Sequence, residues 1–314
     1  MTDEAQKRRN RRIRLFIVWT VWFDILLAVW LFNVSRPGTG AQGCPAGCAS
    51  AGERGPGPLR IVSLNVLHGI PTFPALADRL DLIAGEITRL DADIVCLQEV
   101  PWTWTLGSGA ARLAQQTGLN YLYLRANGNR QALPFEEGEV ILCRYPLKDA
   151  SSIELTPRAG LFEHRVVLHA VAATPWGDLD VFVTHLTNGE AEVNRGQAAA
   201  LKAFVEETRQ GPAIVAGDFN AREDATQIQD LARAWIDAYR TRHPQERGFT
   251  CCVDDLRSSP AEPLEERIDY LFLVPAHGQE LRVVSATRAF DQPFATAGGW
   301  LWASDHVGLW VEVE

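Results

Sequence analysis

The chain has very little lysine: Lys7, Lys148 and Lys202 are the only three among thirty basic residues. Positive charge as a whole is in deficit, with a formal net charge of −9. Six basic residues against three acids fall within positions 1–24, so the remainder stands at −12. An acidic body excludes broad electrostatic capture of DNA, because phosphate neutralisation supplies most non-specific affinity. It does not exclude a nuclease whose local site is screened by a divalent metal. Cysteine is sparse, and the six positions form no metal framework. Cys96 and Cys143 lie inside apolar runs and read as small buried hydrophobes. Cys44 and Cys48 flank Pro-Ala-Gly, a spacing that suits a local disulfide. The adjacent Cys251 and Cys252 read equally as a bonded pair or as one buried and one surface thiol. Internal repeats and signs of a second folded domain are both missing.

One apolar run stands apart. Residues 15–34 (LFIVWTVWFDILLAVWLFNV) span about 30 Å as a helix, roughly a bilayer core. Asp24 opposes insertion by roughly 2.5–3.5 kcal/mol. The thirteen Leu, Ile, Val and Phe residues favour it by roughly 4–8 kcal/mol, so insertion wins. The basic segment 1–14 before the run predicts a cytoplasmic N-terminus and an extracytoplasmic remainder, a single-pass plasma-membrane arrangement. A cleaved signal peptide is the alternative, although the run is long for one and no small-x-small site follows closely. Residues 35–59 are rich in Gly, Pro, Ala and Ser and read as a linker with a reach of roughly 25–30 Å.

From 60 to 314 strand and helix patterns alternate. Strands are expected at 60–66, 93–100, 120–125, 139–144, 164–173, 178–186, 213–217, 267–274, 280–288 and 306–313. Helices are expected at 74–90, around 106–117, at 190–208 and around 226–236. Hairpins mixed with helical crossovers argue for α/β architecture with mixed sheets packed face to face and helices outside.

Five apolar runs each close on polar residues: IVSLN at Asn65, IVCLQE at Glu99, VFVTH at His185, AIVAGDFN with Asp218 and Asn220, and ASDH with Asp305 and His306. Polar groups just past buried strands converge on one sheet edge, where rigid elements hold them for chemistry. Glu99 is a candidate ligand for a hard cation, since Mg²⁺ takes one or two carboxylates and keeps several waters; alone it would read as a solvated strand end. Asp305 is a second candidate ligand or an imidazole partner. Asp218 is placed to orient water or a second metal, and Asn220 and Asn65 to bind a phosphoryl oxygen. Imidazoles at His185 and His306 suit proton transfer near neutral pH, and Asp269 is placed to orient His306. Trp102, Trp104, Trp300 and Trp302 read either as an apolar rim or as core.

In order and spacing these motifs resemble the endonuclease/exonuclease/phosphatase superfamily over residues 60–314. The resemblance implies a four-layer α/β/β/α sandwich. It implies Mg²⁺, with Mn²⁺ or Ca²⁺ as substitutes, and in-line attack of water on a phosphoester. It carries the metal-binding Glu onto Glu99, the first-motif Asn onto Asn65 and the leaving-group His onto His185. The Asp-x-Asn pair falls on Asp218 and Asn220, the penultimate-strand Asp on Asp269 and the terminal Asp-His on Asp305 and His306. The supporting Glu of a middle strand falls loosely on Glu139, with Glu137 beside it, and Val307-Gly308 stands where a Pro often follows the terminal His. The expected activity is a membrane-tethered phosphoesterase acting on a lipid headgroup. A DNA nuclease and a silent membrane-displayed binding module are the alternatives. No obligate protein partner is expected.

Overall fold

The computed structural model describes residues 3–44, 57–258, 264–276, 278 and 281–314. In chain order its elements are α1 (Asp3–Val34), β1 (Leu59–Asn65), α2 (Leu76–Arg89), β2 (Ile94–Thr103), β3 (Gly107–Ser108), α3 (Gly109–Thr117) and β4 (Asn120–Gly128). Then come β5 (Phe135–Cys143), β6 (Leu147–Glu154), β7 (Val166–Thr174), β8 (Gly177–His185), α4 (Ala191–Thr208), β9 (Ala213–Asp218) and α5 (Thr226–Ala234). The chain closes with β10 (Ile236–Asp237), α6 (Ala238–Arg242), β11 (Asp269–Val274), β12 (Val283–Ala289), β13 (Phe294–Thr296), β14 (Gly299–Leu301) and β15 (Gly308–Val313).

Two mixed sheets pack face to face. One runs β12-β15-β1-β2-β5-β4 with β3 on β2; the other runs β10-β11-β9-β8-β7-β6. Strand alternation explains the layers. On β1, Ile61 points between the sheets with Ile94, Ile141, Leu168, Val183 and Leu271, while Val62 and Leu64 point outward onto α2 and α3. On the other side Val215 and Phe272 pack against Leu201 and Val205 of α4 and Leu231 of α5. The result is the expected α/β/β/α sandwich.

Each sheet holds one parallel pair, β1 with β2 and β8 with β9, each joined by a helical crossover. Both pairs end on the same rim, because Asn65 aligns with Gln98 and His185 with Asp218. Antiparallel neighbours begin where those strands stop: Asp269 lies opposite Asp218, and β15 starts just after His306 beside the end of β1. Topology therefore gathers six sequence-distant groups at one edge, the usual ligand side of parallel strands.

β6 was not anticipated from the sequence. Its KDASSIE stretch is polar and mostly exposed, because β6 is an edge strand paired only with β7. The linker expectation needs correction over its first ten residues. The N–H of Gly38 donates to the Arg125 carbonyl (2.7 Å), and Gln42 pairs with Tyr123. β4 is the open edge of its sheet, and its free backbone groups take up this segment. The central part of the linker, with Cys48, lies outside the described residues. α1 leaves Phe16, Trp19, Phe23 and Leu26 exposed, and its apolar stretch within Gln6–Leu31 is unburied.

Candidate active site

Glu99 and His306 line the same cleft, of about 560 Å³, together with His185, Asp218, Asn220 and Asp305. Asn65 and Asp269 stand directly behind it, both buried. The backbone is bent to achieve this. A register shift in β2 between Leu97 and Val100 carries Glu99, whose φ of 57° is left-handed, and Asn220 has φ 47°. Bulges of this kind re-aim side chains beside functional sites. The glycine of GDFN is needed for packing, since a Cβ on Gly217 would clash with the Thr184 carbonyl oxygen.

Asn65 is a bridge and not a free substrate ligand. Its Nδ2 donates to Glu99 Oε1 (3.1 Å) and to Asp218 Oδ2 (3.0 Å), and its Oδ1 accepts from the Leu67 N–H (3.0 Å). Both amide hydrogens are therefore committed to carboxylates. Glu99 also accepts from the His68 N–H (3.2 Å), with His68 Nε2 at 3.4 Å. Burial pushes the Glu99 carboxyl up, but His68, the Asn65 amide and the His68 N–H outweigh it and hold it below the usual range. Burial, then neighbouring Asp269, pushes Asp218 up to about 7. Asp305 is raised by burial and by Glu99.

The two imidazoles are set in opposite states. His306 Nδ1 lies 2.9 Å from Asp269 Oδ2, and its Nε2 lies 3.7 Å from Asp218 Oδ2. Burial disfavours its charge, but Asp269, Asp218 and Asp305 win and raise its pKa well above the usual value. His185 is driven well below the usual value by burial and then by Arg165. Arg165 Nη1 lies 2.9 Å from His185 Nδ1. An arginine can only donate, so Nδ1 accepts from it, and a neutral ring that accepts there cannot also accept from the Asn220 Nδ2 donor that faces Nε2. That nitrogen lies 2.9 Å from the Asn220 amide and 3.4 Å from Asp218 Oδ2. Nitrogen NMR of the metal-free protein at pH 7 should show His306 doubly protonated and His185 neutral; the reverse pattern would refute the assignment. The His306 pairing stabilises the fold fully below pH of about 6.5, the unfolded histidine value. That contribution is lost as pH rises through the raised folded value.

The donor set fits a hard cation. Glu99, Asp218 and Asp305 crowd oxygen donors into one partly dry cleft, where their mutual repulsion favours a divalent ion. Ligand atoms of Asp218, Asp269 and His306 lie within 4.8 Å of one another, and Asp269 Oδ1 is buried without a hydrogen-bond partner. Glu139 does not line the cleft; it lies behind, buried, with Oε2 unpaired and its pKa raised well above normal by burial and Glu137. The Trp residues divide: Trp302 is core, Trp102 lies under Arg130 (5.3 Å), and Trp104 and Trp300 are exposed. Cys251 and Cys252 form a disulfide at the cleft wall, Cys251 Sγ standing 3.7 Å from His306 Nε2.

Two arginines at the site carry no sequence signal. Arg165 precedes a strand without a motif around it. Arg79 occupies a helix position that periodicity assigns only to an amphipathic face, yet it is fully buried. It donates to the carbonyls of Pro74, Val66, Leu67 and Ala303 at 2.6–3.1 Å, locking the Asn65–His68 turn to the strand end before Asp305.

The model of the Endonuclease/Exonuclease/phosphatase family matches residues 62–306. No curated protein sequence matches the chain. Among solved structures, a family protein from Bacteroides thetaiotaomicron is similar at 17% identity and TM-score 0.65, over 83% of this chain and 98% of that one. A mannosyl-6-phosphatase from Bacteroides thetaiotaomicron is similar at 17% identity and TM-score 0.64, over 82% and 99%. A humanised D. rerio TDP2 is similar at 19% identity and TM-score 0.64, over 82% and 98%.

Proposed function

Because the chain belongs to the endonuclease/exonuclease/phosphatase family, we propose that it is a membrane-tethered, extracytoplasmic, divalent-metal-dependent phosphoesterase that cleaves phosphodiesters of lipid headgroups. The observation that carries this reading is the single cleft holding Glu99, Asp218, Asp305, His185 and His306. Glu99 and Asp305 would hold Mg²⁺, or Mn²⁺ or Ca²⁺ in its place, with Asn65 keeping Glu99 and Asp218 in register. When bound, the cation supplies Lewis-acid charge to a non-bridging phosphoryl oxygen and relieves the field of the carboxylates.

The protein's own groups divide the proton work. Asp218, pushed up to about 7, is matched to taking a proton from water at neutral pH. His306, held by Asp269, presents Nε2 to the same water or phosphoryl oxygen and stabilises the charge that develops there. His185 was expected to protonate the leaving alkoxide. Burial and then Arg165 keep it neutral, so it would act by donating a ring N–H to that oxygen, which is far more basic than imidazole. Asn220 Nδ2 donates to the Leu186 carbonyl and faces His185 Nε2, both at 2.9 Å, so Asn220 would hold the His185 ring beside the phosphoryl group. The tether reading rests on the basic first turns of α1, from Lys7 to Arg14, ahead of its apolar run, and on the exposure of that run's side chains.

A nuclease shares this chemistry, but the acidic body gives a long polyanion little to bind. The mannosyl-6-phosphatase likeness makes a sugar phosphate worth including in any panel. The deciding experiment assays the detergent-solubilised chain on sphingomyelin, phosphatidylinositol, plasmid DNA, mannose 6-phosphate and bis(p-nitrophenyl) phosphate, with and without EDTA. Lipid turnover that EDTA abolishes and Mg²⁺ or Mn²⁺ restores is expected. Metal-dependent DNA cleavage without lipid turnover would replace the lipid reading; hydrolysis indifferent to EDTA would remove the metal.

A further inference from the structure

We propose that the loop between β6 and β7, with Leu161 and Phe162 at its tip, is a wedge that seats the cleft on a lipid bilayer, so that the ester it takes is one displayed by the membrane. Leu161 is 86% exposed and Phe162 50%, side by side in the loop and followed by Glu163, His164 and Arg165. Monomeric surfaces scatter single apolar residues without meaning, but adjacent ones rimmed by charge mark interaction sites.

The occupant is indicated by where the apolar helix ends. α1 stops at Val34, and the next residue is already fixed to this loop. The Ser35 hydroxyl donates to the Phe162 carbonyl (2.9 Å), and its own carbonyl lies 2.8 Å from Nε2 of buried His164. His164 is clamped in turn by Glu154 Oε1 at 2.7 Å. No slack separates the two, so a bilayer spanned by α1 meets Leu161 and Phe162 at its surface. Exposed Arg36 follows Ser35, and Arg158, in the same loop as Leu161 and Phe162, is paired with Glu154 at 2.7 Å.

The loop also leads directly into the catalytic wall. Glu163 Oε1 accepts from Arg165 Nη2 (2.8 Å) and from the Thr187 hydroxyl (2.9 Å), and Arg165 contacts His185. A lipid headgroup beside the wedge is therefore next to the leaving-group side of the cleft.

This inference rests on the tethered phosphoesterase reading, and its test separates the two. The full chain is reconstituted into phosphatidylethanolamine/phosphatidylglycerol vesicles containing a phospholipid with a carbene precursor in its acyl chain, and photoadducts are mapped by mass spectrometry. Adducts on α1 and on the 158–164 peptide are expected. Leu161→Ser with Phe162→Ser should lose the second set and lower turnover of vesicle-borne phospholipid at least tenfold. Turnover of soluble bis(p-nitrophenyl) phosphate should be unchanged, which also reports correct folding. The single Leu161→Asp variant, at a fully solvated position, should show the same split. Adducts on α1 alone, or equal loss on both substrates, would overturn the wedge. Adducts on neither segment would overturn the tether and the wedge with it. A labelled wedge without turnover of any vesicle-borne ester would overturn the substrate assignment.

Discussion

Alanine in place of His306 lowers turnover of whichever ester the cleft accepts by roughly 10²–10⁴-fold, and alanine in place of His185 does the same for esters with an alkoxide leaving group. The two losses have different origins. His306 is tied at 2.9 Å to Asp269 Oδ2 and held charged by the carboxylates around it. Removing the ring leaves Asp218 and Asp269 facing each other without the cation that separates them. Asp269→Asn keeps the imidazole but weakens its charge and orientation, so it should reproduce much of the loss. The double variant should then be scarcely worse than His306→Ala alone, because the residues act as one unit. His185→Ala removes a neutral donor, and its loss should fall on kcat and depend on how basic the leaving oxygen is. A p-nitrophenolate leaving group needs little help and should show a much smaller defect than an alkoxide. Steady-state kinetics on both ester types checks this; wild-type turnover in both variants would remove the imidazoles from the mechanism.

The second large effect is on stability. Arg79→Leu should destabilise the fold by about 3–5 kcal/mol, since it strands several buried carbonyls and deletes a buried cation behind the acidic cleft. Burial pulls the Arg79 pKa down to about 10, yet Asp305 and Glu99 keep it charged near neutrality. Arg79→Lys should recover only part of the loss, because one ammonium cannot reach carbonyls arranged around a planar fork. Urea denaturation measures the difference. A loss below about 1 kcal/mol, the scale of ordinary surface changes, would show that the carbonyls find other partners.

These two arginines mark the boundary of what the sequence discloses. The strands that carry the chemistry were legible because burial on both faces writes them as apolar runs, and the polar residue closing each run interrupts the pattern. The order of those interruptions then grouped Asn65, Glu99, His185, Asp218, Asn220, Asp305 and His306, and the family resemblance added Asp269. Periodicity sees only whether a side chain is polar. It therefore could not distinguish Arg79, folded under a turn, from an ordinary solvated helix residue. Nor could it tell that Asn65 spends its amide on two carboxylates, since that depends on a partner 153 positions away. The polar edge strand β6 and the docking of residues 35–44 on β4 were hidden for a related reason: both are held by backbone hydrogen bonds, which leave no imprint on side-chain pattern.

Left-handed backbone at Glu99 and Asn220, two of nine such non-glycine residues among those described, places local strain where the chemistry is done. Each such residue costs on the order of 1–3 kcal/mol and persists only because its surroundings over-determine it. Glycine at position 99 would relax the rim and is expected to melt higher while losing function, the common direction of compromise between durability and activity. What the molecule gains is a carboxylate already aimed before anything arrives, so little reorganisation remains when the ester enters.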